Sequence, residues 1–214
     1  MVIIPLLNEM EVSVVQMKTL KIILFYLVSF TWGALMSVIG LLVGLALMIG
    51  GVKPKLYGHV VYFEVGKGWG GLELGCFFLC SKNCGDHTKK HECGHGIQNT
   101  WFGPLMPFLV CLPSAYRYWM YEVPSKNLKT FAAVVLVVAL LLGCGLIMLG
   151  LLLLNSWFLA AIGILIAVYF IILTAWAWFF EIPKHQAPGY VPYDSIWFEG
   201  QATKLGYKYF PTQK

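Results

Sequence analysis

Residues 84–98 read Cys84-Gly85-Asp86-His87-Thr88-Lys89-Lys90-His91-Glu92-Cys93-Gly94-His95-Gly96-Ile97-Gln98, a polar island that holds three of the five histidines. His91 and His95 are four apart. A helix therefore sets both imidazoles on one face, one turn apart, where two Nε2 atoms reach a single zinc ion. Glu92 adjoins the first histidine and can swing toward a water on that ion. Zinc lowers the pKa of such a water, and a carboxylate takes its proton as it attacks a carbonyl. The same carboxylate then hands the proton to the leaving amine. The rival for these residues is a polar surface helix with unliganded histidines. His87, one turn before His91, is either an extra ligand or neighbour of the metal, or a surface residue at the helix start.

A catalytic zinc takes three protein ligands and keeps one position open. On the side of the expected membrane that holds the island, the unused acids include Glu64, Glu73, Asp86, Glu122, Glu181, Asp194 and Glu199. Glu64 and Glu73 fall in expected strands, Asp86 suits a helix N-cap, and Glu122 and Glu181 adjoin apolar segments. Glu199 stands on a helix expected over about 194–208.

The elements that must position these groups follow from composition. Apolar residues make up 59% of the 214 residues and charged residues 12%, against roughly a quarter charged in soluble domains. That balance points to an integral membrane protein. The net charge of +5 is spread over loops and tail without a basic stripe, which excludes nucleic acid as the partner. Cys144 lies in an apolar run, and the other five cysteines (76, 80, 84, 93 and 111) are an odd set. Reduced thiols are expected rather than a disulfide framework. No cleavable signal peptide is expected, since the first apolar segment is too long and lacks a small-residue cleavage site.

Residues 1–17 read as interfacial or loosely ordered. Residues 20–51 carry one charge, Lys21, and suffice for one tilted or overhanging span. Gly40-Leu41-Leu42-Val43-Gly44 either permits close helix contact or is an apolar helix that happens to contain glycines. In the polar stretch 52–127, Leu56–Val65 and Leu72–Cys80 read as the strands of one β-hairpin over about 56–80. Asp86 then caps a helix over about 86–100. Gly103-Pro104, Pro107 and Pro113 argue for an interfacial or re-entrant segment, leading to the aromatic cluster 116–121. From Phe131 to Phe180 no residue is charged. Asn155-Ser156 breaks this run into two helices, about 129–154 and 157–180. Three spans and no internal repeat describe one membrane-embedded domain over 1–214.

Three crossings place 52–127 and 181–214 on one side, so a tail residue can meet the histidine helix. Lys53, Lys55, Lys126, Lys129 and Lys184 flank the spans on that side, against Lys18 and Lys21 on the other. The positive-inside rule makes that side cytoplasmic.

In its two motifs and their order, though not over the full chain, the sequence resembles the gluzincin metallopeptidases. The nearest likeness is to the membrane-embedded CAAX prenyl endopeptidase and heat-shock membrane protease group. There HExGH is followed by helices and a Glu-x-x-Ala-Asp pattern. His91-Glu92-Cys93-Gly94-His95 matches the first motif, and Glu199 with Ala202 matches part of the second. Thr203 stands where the family has aspartate, a departure that weakens the hydrogen bond to a zinc histidine. The resemblance implies an α-helical membrane protein with a small α+β zincin-like portion. It implies His91, His95 and Glu199 as Zn2+ ligands, Glu92 as general base, and Thr203 behind a ligand. Residues 72–79 then either hold an extended substrate by strand addition or simply cover the helix. His185, Tyr190 and Tyr193 are candidate oxyanion donors.

The expected function is a multi-pass, membrane-bound zinc metalloendopeptidase acting on a peptide or protein substrate at the cytoplasmic bilayer surface. One alternative is a non-catalytic membrane protein with a structural zinc on Cys76, Cys80, Cys84, Cys93 and the histidines. Against it, Cys76, Cys80 and Cys84 span too far along an extended strand. The other is a site-2-type intramembrane protease, which draws its motif and third ligand from spanning helices. Here residues 81–92 are strongly polar and no later span holds an acid. Oligomeric state is left open by the sequence.

Overall fold

A computed structural model describes residues 18–185, 187 and 195–210. The interfacial reading of 1–17, the start of the tail helix at Asp194, and Tyr190 and Tyr193 lie outside them. The chain packs as two compact units, Met1–Cys111 with Tyr193–Lys214, and Leu112–Pro192.

The first unit opens with α1 (Lys18–Phe30) and α2 (Ala34–Ile49), which meet at 93°. The one tilted or overhanging helix expected over 20–51 is therefore broken at Thr31–Gly33. The cause is tertiary. One face of α2 lies on the sheet, where a Cβ at Gly40 would stand 2.3 Å from the Leu74 carbonyl and one at Gly44 2.9 Å from the Phe63 ring. The GxxxG is a flat seat for a sheet, and the contact it permits is not with another helix. The opposite face of α2 leaves Leu41, Leu42, Leu45 and Ile49 exposed.

The hairpin expected over 56–80 is in fact four strands: β1 (Lys55–Tyr57), β2 (Val60–Glu64), β3 (Gly71–Leu74) and β4 (Phe77–Cys80). Their order is β1-β2-β4-β3. Each expected strand folds into its own hairpin at a two-residue turn that begins with glycine: Gly58 at φ +61 and Gly75 at φ +73. Glycine at the first central position is the choice of a type II′ hairpin, because no other residue takes that backbone conformation without strain. The two hairpins then join through a parallel β2–β4 pair, with Val61 opposite Phe77 and Glu64 opposite Cys80. β3 is left at an edge.

α3 (Asp86–Phe102) follows β4 through a short loop. Asp86 is the first helical residue and Gly85 takes the N-cap position. Asp86 instead pairs with Lys90 at 2.7 Å and accepts a hydrogen bond from Tyr57. Cys80 and Cys84 are joined in a disulfide across that loop, whereas reduced thiols were expected; Cys76, Cys93, Cys111 and Cys144 are free. The unit is completed by a turn at Gly103–Leu105, a π-helical turn at Pro107–Cys111 and the returning α8 (Trp197–Tyr209).

The second unit holds α4 (Leu112–Tyr121), α5 (Leu128–Met148), α6 (Trp157–Trp176) and α7 (Ile182–His185). With their flanking turns, α5 and α6 form continuous stretches Ser125–Leu153 and Trp157–His185, both long and apolar enough to cross a membrane. The bent α1–α2 pair makes a third candidate if it counts as one span. The break falls at Asn155-Ser156 as expected, with Asn155 at φ +46 and Ser156 Oγ capping Leu159 N–H at 3.5 Å. Gly143 and Gly163 let the two helices touch, since a Cβ on either would press the other's carbonyl at 2.8 or 2.4 Å. Arg117 and Glu181 form a buried pair at 2.8 Å, which occupies an acid weighed above as a ligand.

Candidate metal centre

α3 and α8 pack backbone to backbone. A Cβ on Gly94 would lie 1.9 Å from the Ala202 carbonyl oxygen, and one on Gly206 1.9 Å from that of Lys90. On α8 the positions 199, 202, 203 and 206 recur at helical spacing and form one stripe. The stripe seats Ala202 and Gly206 on α3 and so carries Glu199 and Thr203 to the histidines. Glycine and alanine in the two sequence motifs are thus the contact that closes the site.

There Glu199 Oε2 stands 3.1 Å from His91 Nε2 and 3.2 Å from His95 Nε2. The two Nε2 atoms are 3.0 Å apart. A tetrahedral zinc with bonds of about 2.0–2.1 Å separates its ligand atoms by roughly 3.3 Å. The donor triangle is close to that spacing, as three ligands of one tetrahedral ion would be. All three residues are buried, at 3%, 6% and 2% exposure for His91, His95 and Glu199, so such an ion would be held in a low-dielectric setting. Among the described residues this is the one group of three or more His, Cys, Asp or Glu side chains arranged to hold a metal.

Each imidazole is oriented from behind. His91 Nδ1 lies 2.9 Å from Thr203 Oγ1, and His95 Nδ1 2.7 Å from Gln98 Oε1. With Nδ1–H donated to these oxygens, Nε2 is left as the lone-pair donor facing the triangle. Thr203 Oγ1 is placed to accept that hydrogen bond, at the position where the resembled family has aspartate. Gln98 was missed in the sequence. Its amide donates to the Phe198 carbonyl at 2.7 Å and to Gln201 Oε1 at 3.0 Å, which fixes the oxygen toward His95. The signal was present as His95-x-x-Gln98, one helical turn past the second histidine.

Glu92 is 3% exposed and lies against the edge strand. A Cβ on Gly71 would meet its carboxylate at 2.4 Å, so a larger residue there would push the Glu92 side chain aside. The Glu73 backbone N–H donates to the same carboxylate. That N–H belongs to the free edge of β3. Ser81 N–H donates to the Gly70 carbonyl, and the alternation of an antiparallel ladder then turns residues 71 and 73 away from β4. Burial pushes the Glu92 carboxyl above the usual carboxylate range, and Glu199 adds to this while the two histidines oppose it. For His95 burial favours the neutral ring, yet Glu199, Glu92 and Glu73 together outweigh it and bring the pKa up to about 9. A proton on His95 stands for the positive charge that the adjoining Glu199 carboxylate calls for.

The remaining residues fall elsewhere. His87 is exposed and pairs with Tyr207 at 3.1 Å, with its ring centroid 6.4 Å from that of His91, so it is no member of the donor triangle. His185 belongs to the second unit. Glu64 is paired with Lys55 at 2.9 Å. Comparison with models of protein families, with curated proteins and with solved structures finds no match for this chain.

Proposed function

We propose that the protein is a membrane-bound, zinc-dependent metalloendopeptidase that cleaves an extended peptide or protein segment at a bilayer surface. The observation that carries this reading is the buried triangle of His91, His95 and Glu199 with Glu92 beside it on the same helix. His91 Nε2, His95 Nε2 and Glu199 Oε2 would hold the metal. A zinc ion there would supply an activated water near neutral pH and polarise a carbonyl. Glu92 takes the proton of the attacking water and returns it to the leaving amine; its raised pKa suits both tasks. Thr203 and Gln98 hold the two imidazoles in one tautomer. The free edge of β3 at Gly71 lies next to Glu92 and suits a substrate strand paired along it, which brings a scissile carbonyl past the base. The apolar stretches Ser125–Leu153 and Trp157–His185 cross the bilayer in this reading, and the exposed apolar residues of α1 and α2 meet lipid. The lysine bias at the span ends makes the active side cytoplasmic.

The test is the pair of variants Glu92→Gln and Glu199→Ala in purified full-length protein. Glu92→Gln keeps one zinc per chain and loses peptidase activity against a quenched-fluorescent peptide. Glu199→Ala loses zinc. Undiminished cleavage by Glu92→Gln, or wild-type zinc affinity in Glu199→Ala, rejects the mechanism.

A further inference from the structure

The donors around the triangle leave one buried acid unused. Glu73 is 4% exposed and sits on β3 two residues after Gly71, so its side chain leaves the same face as the Gly71 position that touches Glu92. Its Oε1 accepts from the Gly75 N–H at the hairpin turn. Its Oε2 is buried and, among the described residues, has no hydrogen-bond partner. A buried carboxylate with one N–H and no cation is costly, and such a group is held neutral. The titratable groups that act on it are His95 and Glu92 of α3; Cys76 at its own turn and Cys111 lie in its field, and among the described residues no lysine or arginine is found to act on it. Burial pushes the Glu73 carboxyl up to about 8, against the pull of His95 and the Gly75 N–H.

We propose that Glu73 is a catalytic residue, a neutral carboxylic acid whose Oε2–H donates a hydrogen bond to the carbonyl oxygen of the bound substrate. This rests on the peptidase reading for the identity of the substrate. The donor is wanted there: charge develops on that oxygen in the transition state, and a preorganised donor in a dry site is worth about 10²–10³ in kcat. A neutral acid filling this role has the same physical basis as any carboxyl kept protonated at pH 7 by an apolar site.

The experiment uses full-length, zinc-loaded protein in detergent. Infrared difference spectra between wild type and Glu73→Gln at pH 7 should show the carbonyl band of a protonated acid in wild type alone. Addition of a peptidyl hydroxamate should shift that band to lower frequency. In turnover assays Glu73→Leu should keep one zinc per chain and lose about 10²–10³ in kcat, while Glu73→Gln, which retains an N–H donor, should stay within about tenfold of wild type. A wild-type protein that shows the band and its shift but cleaves no peptide retires the peptidase reading and keeps Glu73 as a donor. Absence of the band, a band unmoved by the hydroxamate with zinc bound, or wild-type kcat in Glu73→Leu overturns the assignment.

Discussion

Gly94→Ala puts the closure of the site to a direct test. The substituted Cβ falls 1.9 Å from the Ala202 carbonyl oxygen, where ordinary contact needs roughly 3.4 Å. The clash is with backbone, so no rotamer relieves it, and α8 must retreat from α3 by about 1.5 Å. If that shift reaches Glu199, its Oε2 moves from 3.1 and 3.2 Å to about 4.6 Å from the imidazole nitrogens. A zinc–oxygen bond of about 2.0–2.2 Å cannot then be made together with both Zn–N bonds. We expect zinc affinity, read by chelator competition, to fall by at least the ~10–100-fold that follows loss of an orienting partner. Overpacking should also destabilise the protein by about 1–3 kcal/mol. Gly145→Ala is the control, since a Cβ there meets nothing within 4 Å. Wild-type zinc affinity in Gly94→Ala would falsify the claim that this glycine exists to admit α8.

Three further outcomes are expected. Thr203→Val and Gln98→Leu each remove the acceptor behind one imidazole, so each should lower zinc affinity about 10–100-fold; unchanged affinity in both would show that the imidazoles are held by packing alone. His95 has its pKa raised to about 9, so zinc must displace a proton at neutral pH. Apparent zinc affinity should climb about tenfold per pH unit from 7 and level off near 9, and a flat titration refutes the assignment. In the metal-free protein the same raised pKa gives stability that is complete below the unfolded value near 6.5 and is lost as pH rises through about 9. Finally, sided maleimide labelling of Lys126→Cys should occur from the cytoplasm if the lysine bias governs topology. Labelling from the opposite face would agree instead with the Cys80–Cys84 bond, since disulfides persist in oxidising compartments.

The part of the site carried by local spacing was legible. His91, Glu92 and His95 share one helix, and their i, i+4 geometry follows from sequence alone. Glu199 is on a separate helix 104 residues beyond His95, and reaching it took span counting and the Glu-x-x-Ala likeness. Gln98 was within view but was read as ordinary helix, because an amide carries no metal signature. Glu73 was set aside as a strand residue, and Gly71 falls just before the strand expected to begin at Leu72. Their role comes from β3 lying at the sheet edge, and that depends on Gly58 and Gly75 folding two apparent strands into four. Those glycines were readable as turns. The parallel join of the two hairpins was not, because parallel pairing is set by tertiary contacts rather than by a turn. The bend at Thr31–Gly33 was hidden for a similar reason: composition reports only that 20–51 is apolar, whereas Gly40 and Gly44 turn one face to the sheet.

The most direct measurement of the central claim is the zinc X-ray absorption spectrum of the zinc-loaded, full-length protein. The account predicts two imidazole nitrogens at about 2.0–2.1 Å and carboxylate oxygen at about 2.0–2.2 Å, with the oxygen shell reduced in Glu199→Ala. A sulfur shell at about 2.3 Å, or a spectrum that Glu199→Ala leaves unchanged, would contradict it.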